Sequence, residues 1–387
     1  MQESRVSNEN GCTAARTEPT GEMKSLPEFR RVGKILKKEG EALQEKIKKV
    51  IAPLLKWYYQ NRKSYPWRQD REPYHVWVSE IMLQQTRIEP VKAYYARFMQ
   101  ALPTLESLSR IDEEQLMKLW EGLGYYSRAR NLHKAAQCIM QEYGGKFPQT
   151  YQTLRKLPGI GDYTAGAIAS ICFNEKVPAV DGNVLRVVAR ILGSDKNVLL
   201  AETKKEVTAL LQSVMPEEAG AFNEALMELG ENICLPNGTP LCEKCPLQEH
   251  CTAYEKDLTG QLPVRIKEVK RRQEEKTIFL LVSENGRIAI EKRGKKGLLA
   301  GMYQLPNTEG YYTEAALRDK LRSWDIEPLS FVPLGEAKHV FTHIDWLMQG
   351  FRIVTPTESD RFLWVTPEEL KASYALPSAF KYYYDRY

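Results

Sequence analysis

The sequence predicts a multidomain chain, an all-α body over residues 46–254 followed by a small α+β domain over residues 277–387. Three features predict it. Apolar residues recur at helical spacing from Ile47 to Tyr254, the composition turns polar after Cys251, and short runs of β-branched and aromatic residues come after that. At 387 residues the chain is also longer than one hydrophobic core usually serves.

Residues 1–45 are charged, poor in aromatics and only patchily apolar, which predicts a flexible extension leading into a helix. Its first 22 residues include Arg5 and Arg16 with no apolar run behind them, so no secretory signal is expected. No apolar stretch approaches the roughly 20 residues needed to cross a bilayer. These observations predict a cytoplasmic protein without a membrane partner. The net charge of +5 is mild, and the basic residues gather at Arg30 to Lys49, at Arg265, Lys267, Lys270, Arg271 and Arg272, and at Lys292, Arg293, Lys295 and Lys296. Each run reads either as an ordinary solvated face or as a surface for an anionic partner.

Within the body, Val184, Val187, Val188, Ile191 and Leu192 repeat at i, i+3, i+4, i+7 and i+8, and Gly193 sits where a helix-ending residue belongs. Breaks at Pro103-Thr104, Gly144 to Pro148 and Gly159-Ile160-Gly161 separate the helical stretches. Residues 255–276 are polar, contain Gly260 and Pro263, and read as an interdomain linker. Beyond it, Thr277 to Ser283 and Gly286 to Ile290 read as strands around a Glu284-Asn285-Gly286 turn. Phe351 to Val354 and Phe362 to Val365 read as further strands, and Thr313 to Trp324 as a helix.

Seven cysteines, an odd number, argue against a disulfide framework. Cys12 lies in the tail, and Cys138 and Cys172 fall in apolar helical patterns as buried small hydrophobes. The other four, Cys234, Cys242, Cys245 and Cys251, have the spacing C-x7-C-x2-C-x5-C and predict a structural metal site. A four-iron four-sulfur cluster and zinc both accept four thiolates. Zinc ribbons usually use two close pairs and this loop has one, which favours the cluster and leaves structural zinc as the alternative.

Leu157-Pro158-Gly159-Ile160-Gly161 joins two helical patterns. Gly159 and Gly161 permit a tight turn whose N–H groups, with the following helix N-terminus, can hold a phosphate irrespective of base sequence, as a helix-hairpin-helix does. Asp181 precedes a strongly amphipathic helix and is at least an N-cap, a role worth about 1 kcal/mol. Glu80 is embedded in Val76-Trp77-Val78-Ser79-Glu80-Ile81-Met82-Leu83, where apolar neighbours would desolvate the carboxyl and favour its protonated form.

With hairpin, aspartate and cysteine cluster in this order, the chain resembles the endonuclease III superfamily of DNA glycosylases. Pro66-Trp67-Arg68, Ser79 to Thr86, Gly122-Leu123-Gly124-Tyr125-Tyr126 and Val180 to Asn183 resemble its MutY branch, and the likeness runs from about Leu54 to the C-terminus. The C-terminal domain resembles a Nudix fold through Gly297 to Pro306, without the glutamate-rich helix that holds Mg2+ in Nudix hydrolases, so no pyrophosphate hydrolysis is expected.

The resemblance implies a monomeric enzyme that binds duplex DNA containing adenine opposite 8-oxoguanine or guanine and removes the adenine, with one 4Fe-4S cluster. It implies Glu80 as proton donor, Asp181 as the carboxylate facing the sugar, and Tyr163 and Asn183 as their positioning partners. Trp67, Arg68 and Glu224 would line the adenine pocket. Gln85, Thr86, Leu123 and Tyr125 would act on the opposite strand, and Phe341-Thr342-His343 would read 8-oxoguanine. Lyase members carry a lysine where this chain has Tyr163, so no Schiff base is expected and the enzyme should be monofunctional. Thr342 stands where the family commonly has serine, keeping the hydroxyl and adding a methyl. Two features of the cysteine loop also depart from the family: seven rather than six residues separate Cys234 from Cys242, and none of them is basic, which shifts any phosphate contact to Lys244 and the basic runs. Two rival readings are a pyrimidine glycosylase with lyase activity and a metal-stapled adaptor that binds lesions without cleaving them.

Overall fold

The first helix, α1 (Pro27–Asn61), buries Ile47, Val50, Leu54 and Tyr58, which its three- and four-residue spacing places on one stripe. This computed structural model describes residues 27–267, 271–294 and 296–387, with the side chains of α1 described from residue 40. The expectations for residues 1–26, Cys12 among them, and for Lys270 and Lys295 lie outside the described residues. The helix crosses the predicted boundary at residue 45, so residues 27–45 are helical rather than a flexible extension. The stretch is rich in Lys, Glu and Leu, good helix formers whose low aromatic content is no obstacle to a helix.

The body continues with α2 (Pro73–Leu83), α3 (Ile88–Ala101), α4 (Leu105–Arg110), α5 (Glu113–Leu119), α6 (Ser127–Glu142), α7 (Tyr151–Leu154) and α8 (Asp162–Phe173). After these come α9 (Gly182–Leu192), α10 (Ala201–Gln212), α11 (Ala219–Asn232) and α12 (Thr252–Glu255). Two cores divide the work. One gathers α2 to α8 around Trp77, Phe98 and Trp120; the other gathers α1, α9, α10 and α11 around Tyr58, Val188 and Phe222. The two halves meet where α8 crosses α11. A Cβ on Gly220 would lie 2.6 Å from the Ser170 carbonyl, so only glycine permits that approach.

Residues 258–266 are tied to the body: Arg190 Nε donates to the Leu262 carbonyl at 2.8 Å, Val198 N–H to Val264 at 3.1 Å and the Asn197 amide to Ile266 at 3.1 Å. The predicted linker at 255–276 is therefore partly structured, and its last residues already belong to a strand. β1 (Arg272–Ser283) opens a sheet with β2 (Ile288–Lys292), β3 (Tyr303–Gln304), β4 (Asn307–Glu309), β5 (Ser330–Val340), β6 (Ile344–Thr355) and β7 (Leu363–Val365). Strand order is β3-β2-β1-β6-β5, with β4 on β1 and β7 on β2. β1 and β6 run parallel, Phe279 opposite Phe351, and β5 and β6 form an antiparallel hairpin. The helices α13 (Glu314–Arg322), α14 (Pro367–Ser373) and α15 (Lys381–Tyr384) cover the sheet. The predicted turn is present: Gly286 takes φ +74° and Ser283 N–H donates to Arg287. Sequence reading missed β5, an edge strand whose Pro333 and Gly335 bulge break the apolar alternation.

The sheet domain docks on the first core of the body. Met302 and Leu299 pack into that core, Glu114 on α5 accepts from Lys292 at 2.6 Å and Tyr303 at 3.1 Å, and Glu121 accepts from Leu376 N–H at 2.9 Å. The β5–β6 loop, Phe341-Thr342-His343, is thereby held against the body, where Thr342 Oγ1 and the Tyr125 hydroxyl lie 3.2 Å apart. Among the described residues no helix is long and apolar enough to cross a membrane.

Candidate active site

A cavity of about 1040 Å³ opens between the two halves of the body. Glu80 and Tyr163 line it from the first half, Asp181, Asn183 and Glu224 from the second, with Trp67 and Arg68 at its side.

Glu80 sits in the last turns of α2 and is only 8% exposed, because Val76, Trp77, Val78, Ile81 and Met82 surround it in sequence and are all buried. Tyr163, at the start of α8, donates its hydroxyl to Glu80 Oε2 at 2.6 Å and also contacts Met227 Sδ at 3.1 Å. Burial raises the Glu80 carboxyl to about 7, and the Tyr163 bond, which favours the carboxylate, only partly offsets it. Burial likewise carries the Tyr163 phenol well above its usual range, so it remains a donor at neutral pH.

Asp181 caps α9. Its Oδ1 accepts from Val184 N–H at 2.8 Å and its Oδ2 from the Asn183 amide at 2.8 Å, so it is both the predicted N-cap and a wall of the cavity. Burial lifts its pKa above the ordinary value, while those two donors pull it back. Asn183 is itself held: Arg186 donates to its Oδ1 at 2.9 Å and to the carbonyls of Gly230 at 2.7 Å and Cys234 at 2.8 Å. One hydrogen-bonded chain thus runs from Asp181 to the cysteine loop.

Arg68 occupies the 3₁₀ turn Pro66–Arg68 and points between two buried glutamates of α11, with Nε 3.2 Å from Glu224 Oε1 and NH1 2.6 Å from Glu228 Oε2. Burial works against its charge, yet Glu224 and Glu228 outweigh it and hold the guanidinium above its usual value. Sequence reading missed Glu228, although it lies one turn beyond Glu224 on the same helix face. It also missed Tyr58, a further lining residue, which reaches the cavity from α1. Trp67 is buried and stacks on Tyr65, with ring centroids 5.1 Å apart.

Gln85, Thr86, Gly159 and Gly161 line the same cavity. Gly159 takes φ +75°, and a Cβ there would strike the Asn131 side chain at 2.5 Å, so the turn requires glycine. Gly161 is extended and caps α8. Tyr125 stands outside the cavity, 48% exposed, whereas Leu123 is only 6% exposed and turns inward. Leu123 therefore offers no surface to DNA in this structure; the positive φ of Gly122 and Gly124 turns the loop so that Tyr125 is presented instead. Phe341 packs on Trp346, while Thr342 and His343 are exposed.

Cys234, Cys242, Cys245 and Cys251 are half-buried in one loop against α9. Arg190 donates to Cys234 Sγ at 3.2 Å, and the Cys251 thiol donates to the Arg190 carbonyl at 3.4 Å. Burial pushes the Cys245 thiol up to about 12, with the neighbouring cysteines adding to the effect. Among the described residues no three His, Cys, Asp or Glu side chains converge as a single-ion site. The soft four-sulfur donor set, with a guanidinium on one sulfur, fits a thiolate-bound group. Lys244 is exposed beside it. Cys138 and Cys172 are partly exposed rather than fully buried: Cys138 flanks the buried stripe of α6, and Cys172 follows the buried run Thr164 to Ile171 in the last turn of α8.

A family model described as "HhH-GPD superfamily base excision DNA repair protein" matches residues 78–217, and one described as "NUDIX domain" matches residues 277–386. A Rattus norvegicus protein named adenine DNA glycosylase is 35% identical over 398 residues, covering 85% of this chain and 77% of that one. A Homo sapiens protein of the same name is 34% identical over 401 residues, covering 85% and 73%. Among solved structures, a thermostable thymine-DNA glycosylase superposes with a TM-score of 0.50 and 30% identity, covering 55% of this chain and 98% of that one.

Proposed function

Since the chain belongs to the adenine DNA glycosylases, we propose that the cavity between the two halves of the body receives an adenine swung out of a DNA duplex opposite 8-oxoguanine or guanine. A base inside the helix cannot reach a buried carboxyl, and extrusion costs a few kcal/mol, least at a mismatch. The observation that carries the assignment of roles is the pair of carboxylates in unlike settings: Glu80 buried and raised to about 7, Asp181 held by the Val184 N–H and the Asn183 amide.

Glu80 then donates a proton to N7 of adenine, and the C1′–N9 bond breaks with its electron pair leaving on the base. Asp181 as carboxylate stabilises the positive charge that develops on the sugar, or bonds to C1′, until water completes the exchange. This is the division of labour between two carboxyl groups known from glycoside hydrolysis. Arg68, clamped by Glu224 and Glu228, and Trp67 form the side of the pocket against which the base rests. Tyr163 lacks the amine that a Schiff base needs, which supports a monofunctional enzyme.

Cys234, Cys242, Cys245 and Cys251 would hold a 4Fe-4S cluster, favoured over zinc by the single close cysteine pair. Bound there, the cluster supplies a structural staple for the loop. The chain's own Arg186 and Arg190 tie that loop to α9 and so to Asn183 and Asp181. The sheet domain would read the opposite base through Thr342 and His343.

The test is incubation with duplexes carrying adenine opposite 8-oxoguanine or carrying an oxidised pyrimidine. Release of free adenine without strand scission is expected. Pyrimidine release with scission, or binding alone, would overturn the reading.

A further inference from the structure

Arg128, on α6, is a buried charge that the excision chemistry leaves unused. Its NH1 donates to the carbonyls of Ile81 at 2.7 Å, Met82 at 3.1 Å and Gln84 at 2.7 Å. Its NH2 donates to Leu123 at 3.0 Å and Gly124 at 3.2 Å. The guanidinium carbon stands 5.4 Å from the Trp120 ring centre and 5.5 Å from that of Tyr125. Burial lowers its pKa to about 10, so it stays cationic at neutral pH, and among the described residues no carboxylate pairs with it.

The bonds fall into two sets. Ile81, Met82 and Gln84 are the end of α2, where carbonyls lack intrahelical partners and a cation complements the helix dipole. Glu80 immediately precedes them, in the same last turn of α2. Leu123 and Gly124 belong to the loop that presents Tyr125; Gly122 (φ +94°) and Gly124 (+70°) take the left-handed region freely, whereas Tyr125 (+47°) is held there at a cost that its surroundings must offset. A planar fork can serve both sets at once, which a lysine's single ammonium cannot. Arg128 Nε is left buried without a partner, as expected where the two sets of carbonyls dictate the orientation.

We propose that Arg128 is a positioning residue that binds the Tyr125 loop and the Glu80 helix into one rigid unit, so that the exposed side chain that meets the duplex and the carboxyl that receives the extruded base keep a fixed geometry. The inference rests on the adenine-excision reading.

The test uses the full-length protein, Arg128→Lys and Arg128→Met, and a duplex with adenine opposite 8-oxoguanine and 2-aminopurine beside the target. Burst amplitude counts active molecules, 2-aminopurine fluorescence follows extrusion, and single-turnover quenching follows excision. In Arg128→Lys both rates per active molecule should fall together by about tenfold or more, the scale of a displaced reacting group. Unchanged rates with a lower melting temperature or burst would reduce Arg128 to a structural role and overturn the proposal. Lost excision with wild-type extrusion would overturn the coupling. Hydrogen exchange of the wild type adds a measurement that needs no variant: segments 81–86 and 122–126 should open with one shared free energy, and independent opening overturns the proposal. A wild type that releases no adenine refutes the underlying function instead.

Discussion

The phenol of Tyr163 donates a 2.6 Å hydrogen bond to Oε2 of Glu80, across the seam between α8 and α2. The bond occupies one carboxyl oxygen and leaves Oε1 to carry the proton. It favours the carboxylate, and burial favours the acid; burial wins, and the group titrates at about 7.

That balance sets a pH dependence. Excision requires protonated Glu80, so the single-turnover rate should fall as pH rises above about 7. Tyr163→Phe removes the bond that lowers the pKa and should move this limb to higher pH. Glu80→Gln should cost at least about a hundredfold, the scale of general-acid catalysis, while DNA binding persists. Stability has the same sign: with a folded pKa of about 7 against an ordinary 4.5, the native state holds the extra proton. The contribution of the neutral acid is complete below 4.5 and is lost as pH rises through 7, so Glu80→Gln should gain stability relative to wild type between those values. A wild-type rate that is flat from pH 6 to pH 9 would remove Glu80 as the proton donor.

Tyr163 also marks the line between hydrolysis and lyase chemistry. Tyr163→Lys places an amine beside Glu80 and Asp181, and borohydride should then trap a covalent complex with DNA. Trapping of the wild type as efficient as that of a lyase would contradict the monofunctional assignment.

The cysteine loop predicts a coloured protein. Anaerobically purified material should be yellow-brown, with iron and sulfide in equal amounts, and Cys→Ser at position 242 should lower both the metal content and the melting temperature. Stoichiometric zinc without visible absorbance would replace the cluster by a structural zinc site.

Thr342 and His343 stand exposed on the β5–β6 loop, Thr342 within 3.2 Å of the Tyr125 hydroxyl, so the sheet domain faces the part of the body expected to meet the opposite strand. The double change Thr342→Ala, His343→Ala should lower the preference for adenine opposite 8-oxoguanine over adenine opposite guanine, by about 1 kcal/mol for each lost hydrogen bond. Binding and single-turnover rates for both duplexes at one salt concentration measure it, since phosphate contacts make affinity salt-dependent. An equal collapse of both rates would show that the loop serves folding or catalysis instead of discrimination.

Local features were legible in the sequence because they depend on neighbours along the chain. Asp181 as the cap of α9, Gly193 as its end and the turn at Gly286 all follow from backbone preferences within a few residues. Glu80 could be singled out because its own helix supplies the apolar neighbours that bury it. Motif order and spacing supplied the family and the four cysteines. What remained hidden was decided by contacts between distant segments. Leu123 turns inward, Glu228 meets Arg68 from 160 residues away, and Arg128 reaches carbonyls on α2 that lie 44 to 47 residues before it. The boundary at residue 45 failed because the stripe that buries Ile47 belongs to a helix already under way at Pro27, and β5 was missed because pairing to β6, not apolar alternation, makes it a strand. The pKa of Glu80 likewise depends on α8, α9 and α11 closing round it, because desolvation and the fields of Asp181, Glu224 and Arg68 exist only once the two halves of the body have met.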